Sequence, residues 1–201
     1  MRSLTKCAIV ALVLAVASTA QANVTIEVLD PAEGKFLVTY EVTATKAHST
    51  ELSFPRGGLP SRDKHLEVVS VTEKNTDQEF EHDILPYKGE TGAVVEGRYV
   101  IKAKFTDPIP EGGKHVLEYK MILYNKARCF VDRDGRWMFK YDTSCDAFFV
   151  LPEGQAIVYA NHPVLVYQKA GRTVLQQKAD PRKRGQDTVR KLIFKTHAAK
   201  E

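Results

Sequence analysis

The stretch FLVTYEV, residues 36–42, alternates apolar and polar side chains and decides the class of fold. Phe36, Val38, Tyr40 and Val42 share one face, and this period of two is the pattern of a half-buried β-strand. Similar runs, separated by turn residues about every ten positions, continue through the chain. The strands predicted in this way are 24–28, 36–42, 52–54, 66–71, 80–85, 98–105, 116–124, 148–151, 155–159, 164–167, 173–175 and 189–195.

No segment has the period of an amphipathic helix with capping residues at both ends, so the sequence predicts an all-β protein. The spacing of turns is typical of an antiparallel β-sandwich of the immunoglobulin-like or fibronectin-like kind, built as one unit or from two packed β units. We expect one sandwich domain over residues 23–201. The alternative is a division into 23–110 and 111–201, because Asp107–Gly113 contains two prolines and two glycines.

The first 22 residues predict a cleaved signal peptide. Arg2 and Lys6 form a basic start, Cys7–Val16 is an uncharged apolar run, and Ala20-Gln21-Ala22 resembles a signal peptidase site. The apolar run is shorter than the roughly 20 residues that cross a membrane. No later segment is apolar enough to do so, and we therefore expect no integral membrane segment in the mature chain and a location in the periplasm or outside the cell.

The segment RCFVDRDGRWMFKYDTSC, residues 128–145, contains the single tryptophan and both cysteines that follow the expected cleavage site. Asp134-Gly135 is a strong hairpin signal between two runs of β-forming residues, and it predicts a two-residue type I′ turn. In that register Lys140, rather than Cys145, faces Cys129. A calcium loop is the weaker interpretation, because Phe130 occupies a position that needs an oxygen ligand.

Cys129 and Cys145 are predicted to form a disulfide, since two cysteines in an exported chain most often pair. The bond requires the chain to bend back through residues 142–144. Thiol redox catalysis usually uses closely spaced cysteines, and this spacing does not match it.

The sequence predicts no catalytic residue, no metal ligand set and no cofactor. It lacks the nucleophile elbow G-x-S-x-G, the zinc motif H-E-x-x-H and the S-x-x-K motif. The histidines are scattered singly, without the spacing of a local metal site. They are His48, His65, His82, His115, His162 and His197.

The C-terminal part of the chain is basic. The formal net charge is +4, and residues 179–201 contain seven Lys and Arg against three Asp and Glu. This charge favours an anionic partner such as a polysaccharide, a cell-envelope component or an acidic protein, and nucleic acid is not expected outside the cell. The alternative is a solvated edge strand and tail. The residues predicted for this surface are Arg182, Lys183, Arg184, Arg190 and Lys191.

These patterns together predict an exported, non-enzymatic binding or accessory module with a protein or anionic cell-envelope partner. Two alternatives stay open at this stage. One is a small secreted hydrolase or carbohydrate-active enzyme that brings two carboxylates together through the fold, with exposed rings such as Trp137 or Tyr141. The other is a periplasmic metal-binding protein that uses histidines from separate strands.

Overall fold

The computed structural model describes residues 23–56, 66–179 and 189–196, and the predicted signal peptide lies outside them. These residues form 14 strands and no helix. The strands are Asn23–Asp30 (β1), Lys35–Ala44 (β2), Glu51–Arg56 (β3), Leu66–Glu73 (β4), His82–Lys88 (β5), Val94–Lys104 (β6), His115–Tyr124 (β7), Cys129–Val131 (β8), Trp137–Asp142 (β9), Asp146–Val150 (β10), Gln155–Ala160 (β11), Leu165–Lys169 (β12), Arg172–Gln177 (β13) and Val189–Thr196 (β14). The all-β prediction is confirmed.

The strands form three sheets. A seven-stranded sheet has the order β12-β13-β10-β1-β2-β7-β4, a four-stranded sheet has the order β11-β14-β9-β8, and a three-stranded sheet has the order β3-β6-β5. All of the ladders are antiparallel except the one between β1 and β10, which is parallel. Immunoglobulin constant domains place seven strands in two sheets. The structure therefore establishes a β-sandwich-like all-β fold without establishing that particular topology.

Strands from both sides of residue 110 share the seven-stranded sheet. β2 and β7 pair along ten residues, from Lys35 opposite Tyr124 to Ala44 opposite His115. The Asp107–Gly113 segment lies in the loop between β6 and β7. Residues 110 and 111 thus lie in the loop that leads from the three-stranded sheet to the seven-stranded sheet, and the seven-stranded sheet has strands from both sides of this point.

Aromatic rings join the seven-stranded and four-stranded sheets into one core. The Phe139 ring centroid lies 5.4 Å from that of Phe36 and 6.1 Å from that of Phe149, and all three side chains are buried. Alternation along the strands explains this packing, because every second residue of β1, β2 and β7 points to the same side. The interior of this sandwich is therefore filled by apolar side chains.

The hairpin at residues 132–136 exists, but its predicted turn type is wrong. Val131 pairs with Trp137 and Cys129 pairs with Phe139, a register one residue away from the predicted pairing with Lys140. Gly135 alone in this turn has a positive φ, of 72°. The N–H of Gly135 bonds to the carbonyl of Asp132. These features describe a type I turn followed by a glycine bulge, which is one of the common longer hairpin loops.

A second hairpin joins β12 and β13 through the Ala170-Gly171 turn. Lys169 pairs with Arg172 across it. Arg172 donates from Nε to the carbonyl of Leu151 at 2.9 Å and forms an ion pair with Glu27 of β1. This anchored hairpin fixes the position of β12 at the edge of the seven-stranded sheet.

Candidate functional site

Large exposed apolar side chains are concentrated on two strands near one edge of the sandwich. Of the ten large hydrophobic residues exposed in the described part of the chain, five lie between residues 158 and 167. We call this stretch the 158–167 edge. Its apolar members, with their exposed fractions, are Val158 (44%), Tyr159 (50%), Leu165 (62%), Val166 (44%) and Tyr167 (37%).

The 158–167 edge joins the outermost strands of two sheets. Among the described residues, β11 is the first strand of the four-stranded sheet and pairs only with β14, while β12 is the first strand of the seven-stranded sheet and pairs only with β13. All five residues of β12 are exposed. An edge strand of this kind presents unpaired backbone N–H and C=O groups together with apolar side chains, and natural proteins usually protect or cover such strands.

Asn161 fixes the connection between β11 and β12. Its Oδ1 accepts a bond from the N–H of Lys191 at 2.7 Å, and its Nδ2 donates to the carbonyl of Val189 at 2.9 Å. The register of β11 also shifts between Ile157 and Tyr159, which marks a bulge. The side chain of Asn161 thus ties the β11–β12 connection to the backbone of β14. We therefore expect the exposed apolar side chains on either side of Asn161 to be held in place.

A groove of about 350 Å³ lies between the two edge strands. Thr173 is one of the residues that line this groove, and its hydroxyl donates to the carbonyl of Gln155 at 2.9 Å. The lining residues are Gly154, Gln155, Ala156, Ile157, Val166, Gln168, Gly171 and Thr173. This lining contains backbone and amide groups beside apolar side chains and no ionisable group, so it is suited to contact with a peptide rather than to acid–base chemistry.

The structure describes two of the five residues predicted for the anionic-partner surface, and one of the two is buried. Arg190 is 5% exposed, and its Nε has no hydrogen-bond partner among the described residues. Placing Arg190 on that surface was wrong, because alternation along β14 turns it towards the core and turns Lys191 outwards. Arg182, Lys183 and Arg184 lie outside the described residues.

The predicted disulfide is not formed in the structure, where Cys129 and Cys145 are both free. Cys129 lies near the carboxylate of Asp30, at the end of β1. Cys145 precedes Asp146, which pairs with Asn23 at the start of β1. The two thiols therefore lie towards different ends of β1 and do not meet.

We expect the two thiols to differ strongly in reactivity. Burial, and then the charge of Asp30, raises the pKa of Cys129 to about 12, so little thiolate forms there at neutral pH. Cys145 is half-buried and open to reagents. A titration with a thiol reagent should modify one cysteine rapidly in the native protein and two after unfolding without reductant. No free thiol in the unfolded protein would instead restore the predicted disulfide.

Asp132 organises the hairpin loop rather than a metal site. Its Oδ1 accepts from the N–H groups of Asp134 and Arg136, both at 2.9 Å, and its Oδ2 accepts from Nε of Arg136 at 2.9 Å. The backbone N–H of Arg136, followed by its guanidinium, lowers the pKa of Asp132. The described residues contain no group of three or more His, Cys, Asp or Glu side chains that could hold a metal ion.

The lowered pKa of Asp132 predicts a loss of stability in acid. A carboxyl group with a depressed pKa in the folded state stabilises the protein above its ordinary pKa, and this contribution is lost as the pH falls through the lowered value. Asp132→Asn should therefore be less stable than the wild type at pH 7, and the difference should disappear as the pH falls below the ordinary aspartate pKa of about 3.9 and through the lowered value. Urea unfolding of both proteins at several pH values measures this difference in the free energy of unfolding. Asp142→Asn, at an exposed residue, is the control, and a gap that persists in acid would contradict the prediction.

The rings that a carbohydrate-active enzyme would expose are placed in the core. Tyr141 is 2% exposed, and its hydroxyl lies 2.6 Å from that of Tyr40. Trp137 is half-buried and packs against the same core. Asp132 and Asp134 are at a hairpin tip and paired with Arg136. These positions do not form the cleft that the hydrolase alternative requires.

Within the ranges that the structure describes, no helix has the length and apolarity needed to cross a membrane.

Comparison with known proteins gives fold similarity only. The chain matches no protein-family profile and no curated protein. It is similar to the structure of an M1 zinc metallopeptidase from Deinococcus radiodurans, with 10% identity and a TM-score of 0.48, covering 88% of this chain and 41% of that one. It is also similar to a mutant of that enzyme bound to a Tyr-Ser-Ala substrate, with 11% identity and a TM-score of 0.46, covering 88% of this chain and 41% of that one. The chain thus spans less than half the length of these proteins.

Proposed function

We propose that this protein is an exported, non-enzymatic binding or accessory module that acts in the periplasm or outside the cell. The observation that carries the proposal is the 158–167 edge, where half of the large exposed apolar side chains of the described residues fall within ten positions. The signal-peptide pattern of residues 1–22 supports the location.

The partner that suits the edge is a protein with an extended segment. A peptide strand that adds to a sheet edge obtains affinity from main-chain hydrogen bonds and specificity from alternate side chains. β12 offers both, because its outer backbone groups face no strand among the described residues and Val166 lines the adjoining groove. Covering Leu165 and Tyr167 would also remove apolar surface from water.

Co-purification from the exporting cells tests this function. The mature protein should capture a specific envelope or extracellular protein, and Leu165→Asp combined with Tyr167→Asp should abolish capture. Val94→Asp is the matched control, since Val94 is 61% exposed on the separate three-stranded sheet. Equal capture by all three proteins would contradict the proposal. Robust turnover of hydrolase substrates by the purified wild type would contradict its non-enzymatic part.

A further inference from the structure

We propose that the outer face of the four-stranded sheet binds an acidic amphipathic helix of a partner protein. This inference rests on the proposed binding function, but it concerns the outer face of the four-stranded sheet, which shares Tyr159 with the 158–167 edge, and it names the chemistry of the partner. It is carried by a row of apolar side chains, by the lysines on both sides of that row and by the dimensions of the sheet.

The apolar row crosses all four strands. Tyr159 of β11 pairs with Ile193 of β14, Ile193 pairs with Met138 of β9, and Met138 pairs with Phe130 of β8. The neighbours of Ile193 along β14, Leu192 and Phe194, are fully buried, so alternation turns Ile193 outwards. We call Tyr159, Ile193, Met138 and Phe130 the apolar row.

Unpaired lysines lie on both sides of the apolar row. Lys191 and Lys140 are opposite one another on one side, and Lys195 lies on the other. No ion pair joins any of these lysines to a carboxylate of the described residues, although Asp142 follows Lys140 on the same face. Like charges directly opposite each other in a ladder are unfavourable. The Lys140 ammonium lies 5.0 Å from the centre of the Phe130 ring, which places its charge beside the row.

The dimensions of this face match a short helix. Neighbouring strands are about 4.8 Å apart, so the row is about 14 Å long, which corresponds to roughly ten helical residues at 1.5 Å each. Lys191 and Lys195 each lie two positions from Ile193, on opposite sides of the apolar row. Their Cα atoms are therefore about 13 Å apart. A helix about 10–12 Å wide fits between them. Its apolar side would contact the row, while carboxylates on both flanks would meet the lysines.

A lipid surface fits this face less well than a helix does. Ile193, Met138 and Phe130 are half-buried within the sheet, and only Tyr159 is exposed. Membrane-surface segments insert projecting apolar groups below the headgroups. Side chains that lie in the surface of a sheet contact a convex apolar partner instead.

The test uses three labelled helical peptides about 14 residues long, with the same apolar side and with Glu, Gln or Lys on both flanks. Binding to the folded mature protein is measured by fluorescence anisotropy. At low salt the Glu peptide should bind at least about tenfold more tightly than the Lys peptide. This ratio of affinities should fall as the salt concentration increases. Lys140→Glu with Lys191→Glu should reverse this order. Lys88→Glu, at an exposed lysine of the three-stranded sheet, should leave it unchanged.

Equal binding of the three peptides, binding of none, or an order that survives the double charge reversal would overturn the inference. So would binding of phosphatidylglycerol vesicles that needs the same lysines and is not displaced by the Glu peptide. Thermal unfolding of each variant verifies folding. Partner capture that requires Leu165 and Tyr167 but survives the charge reversal would leave the proposed function standing and would remove only the helix site.

Discussion

Phe139→Ala is expected to destabilise the protein by about 3–5 kcal/mol, which is the usual cost of removing a fully buried phenylalanine ring. Phe139 of the four-stranded sheet is 0% exposed and contacts two rings of the seven-stranded sheet. The Phe36 ring meets it edge-on at 5.4 Å, and the Phe149 ring meets it at 6.1 Å. Alanine removes one of the side chains that join the four-stranded to the seven-stranded sheet, and the rigid strands around it cannot close the cavity.

Chemical denaturation measures this loss as a lower midpoint with an unchanged denaturant dependence. The matched control is Phe130→Ala in the same hairpin, where the half-buried ring lies on the outer face and should contribute no more than about 1 kcal/mol. Equal effects at the two positions would show that the four-stranded sheet does not pack on the seven-stranded one through Phe139.

Gly34→Ala should cost about 3 kcal/mol through two separate effects. Gly34 has φ 61°, a conformation that costs an alanine about 1 kcal/mol. A Cβ there would also lie 2.6 Å from the backbone nitrogen of Lys126 and 2.7 Å from the carbonyl carbon of Asn125. These atoms belong to the backbone beyond β7, and the N–H of Asn125 bonds to the carbonyl of Gly34 at 2.8 Å. Neither can move without breaking this contact, and such overpacking costs about 1–3 kcal/mol.

Gly135→Ala separates the two effects. Its φ is 72°, and an added Cβ would meet nothing within 4 Å, so only the conformational cost remains. Thermal or urea unfolding of the two variants should show a clearly larger loss at Gly34. If both variants lose the same stability, the close approach of the β1–β2 turn to the backbone after β7 is not present in solution.

Local pattern was sufficient to predict the strands and insufficient to predict their neighbours. Alternation in FLVTYEV identifies β2 because the period of a strand is a property of consecutive residues. The parallel pairing of β1 with β10 joins residues more than 100 positions apart, and no local feature specifies it. The Asp134-Gly135 signal located a hairpin correctly, but a type I′ turn also needs a positive φ at Asp134, and in the structure only Gly135 of this turn has one.

The proposed binding surface was harder to predict for the same reason. Arg190 and Lys191 are neighbours in sequence and have the same charge, yet the pairing of β14 between β9 and β11 buries one and exposes the other. The run 164–167 was recognised as a strand, but whether a strand is central or at an edge depends on its partners. Once β12 is known to be an edge strand, its apolar side chains become the most informative surface of the molecule.

Photo-cross-linking from Val166 tests the central claim most directly, which is that the 158–167 edge contacts a protein partner. A photoreactive residue is placed at Val166 or, for comparison, at Val94, and the cells that export the protein are irradiated. The account predicts a discrete protein adduct from position 166, lost when Leu165→Asp and Tyr167→Asp are introduced, and none from position 94. Absence of any adduct at 166, or the same adducts from both positions, would contradict it.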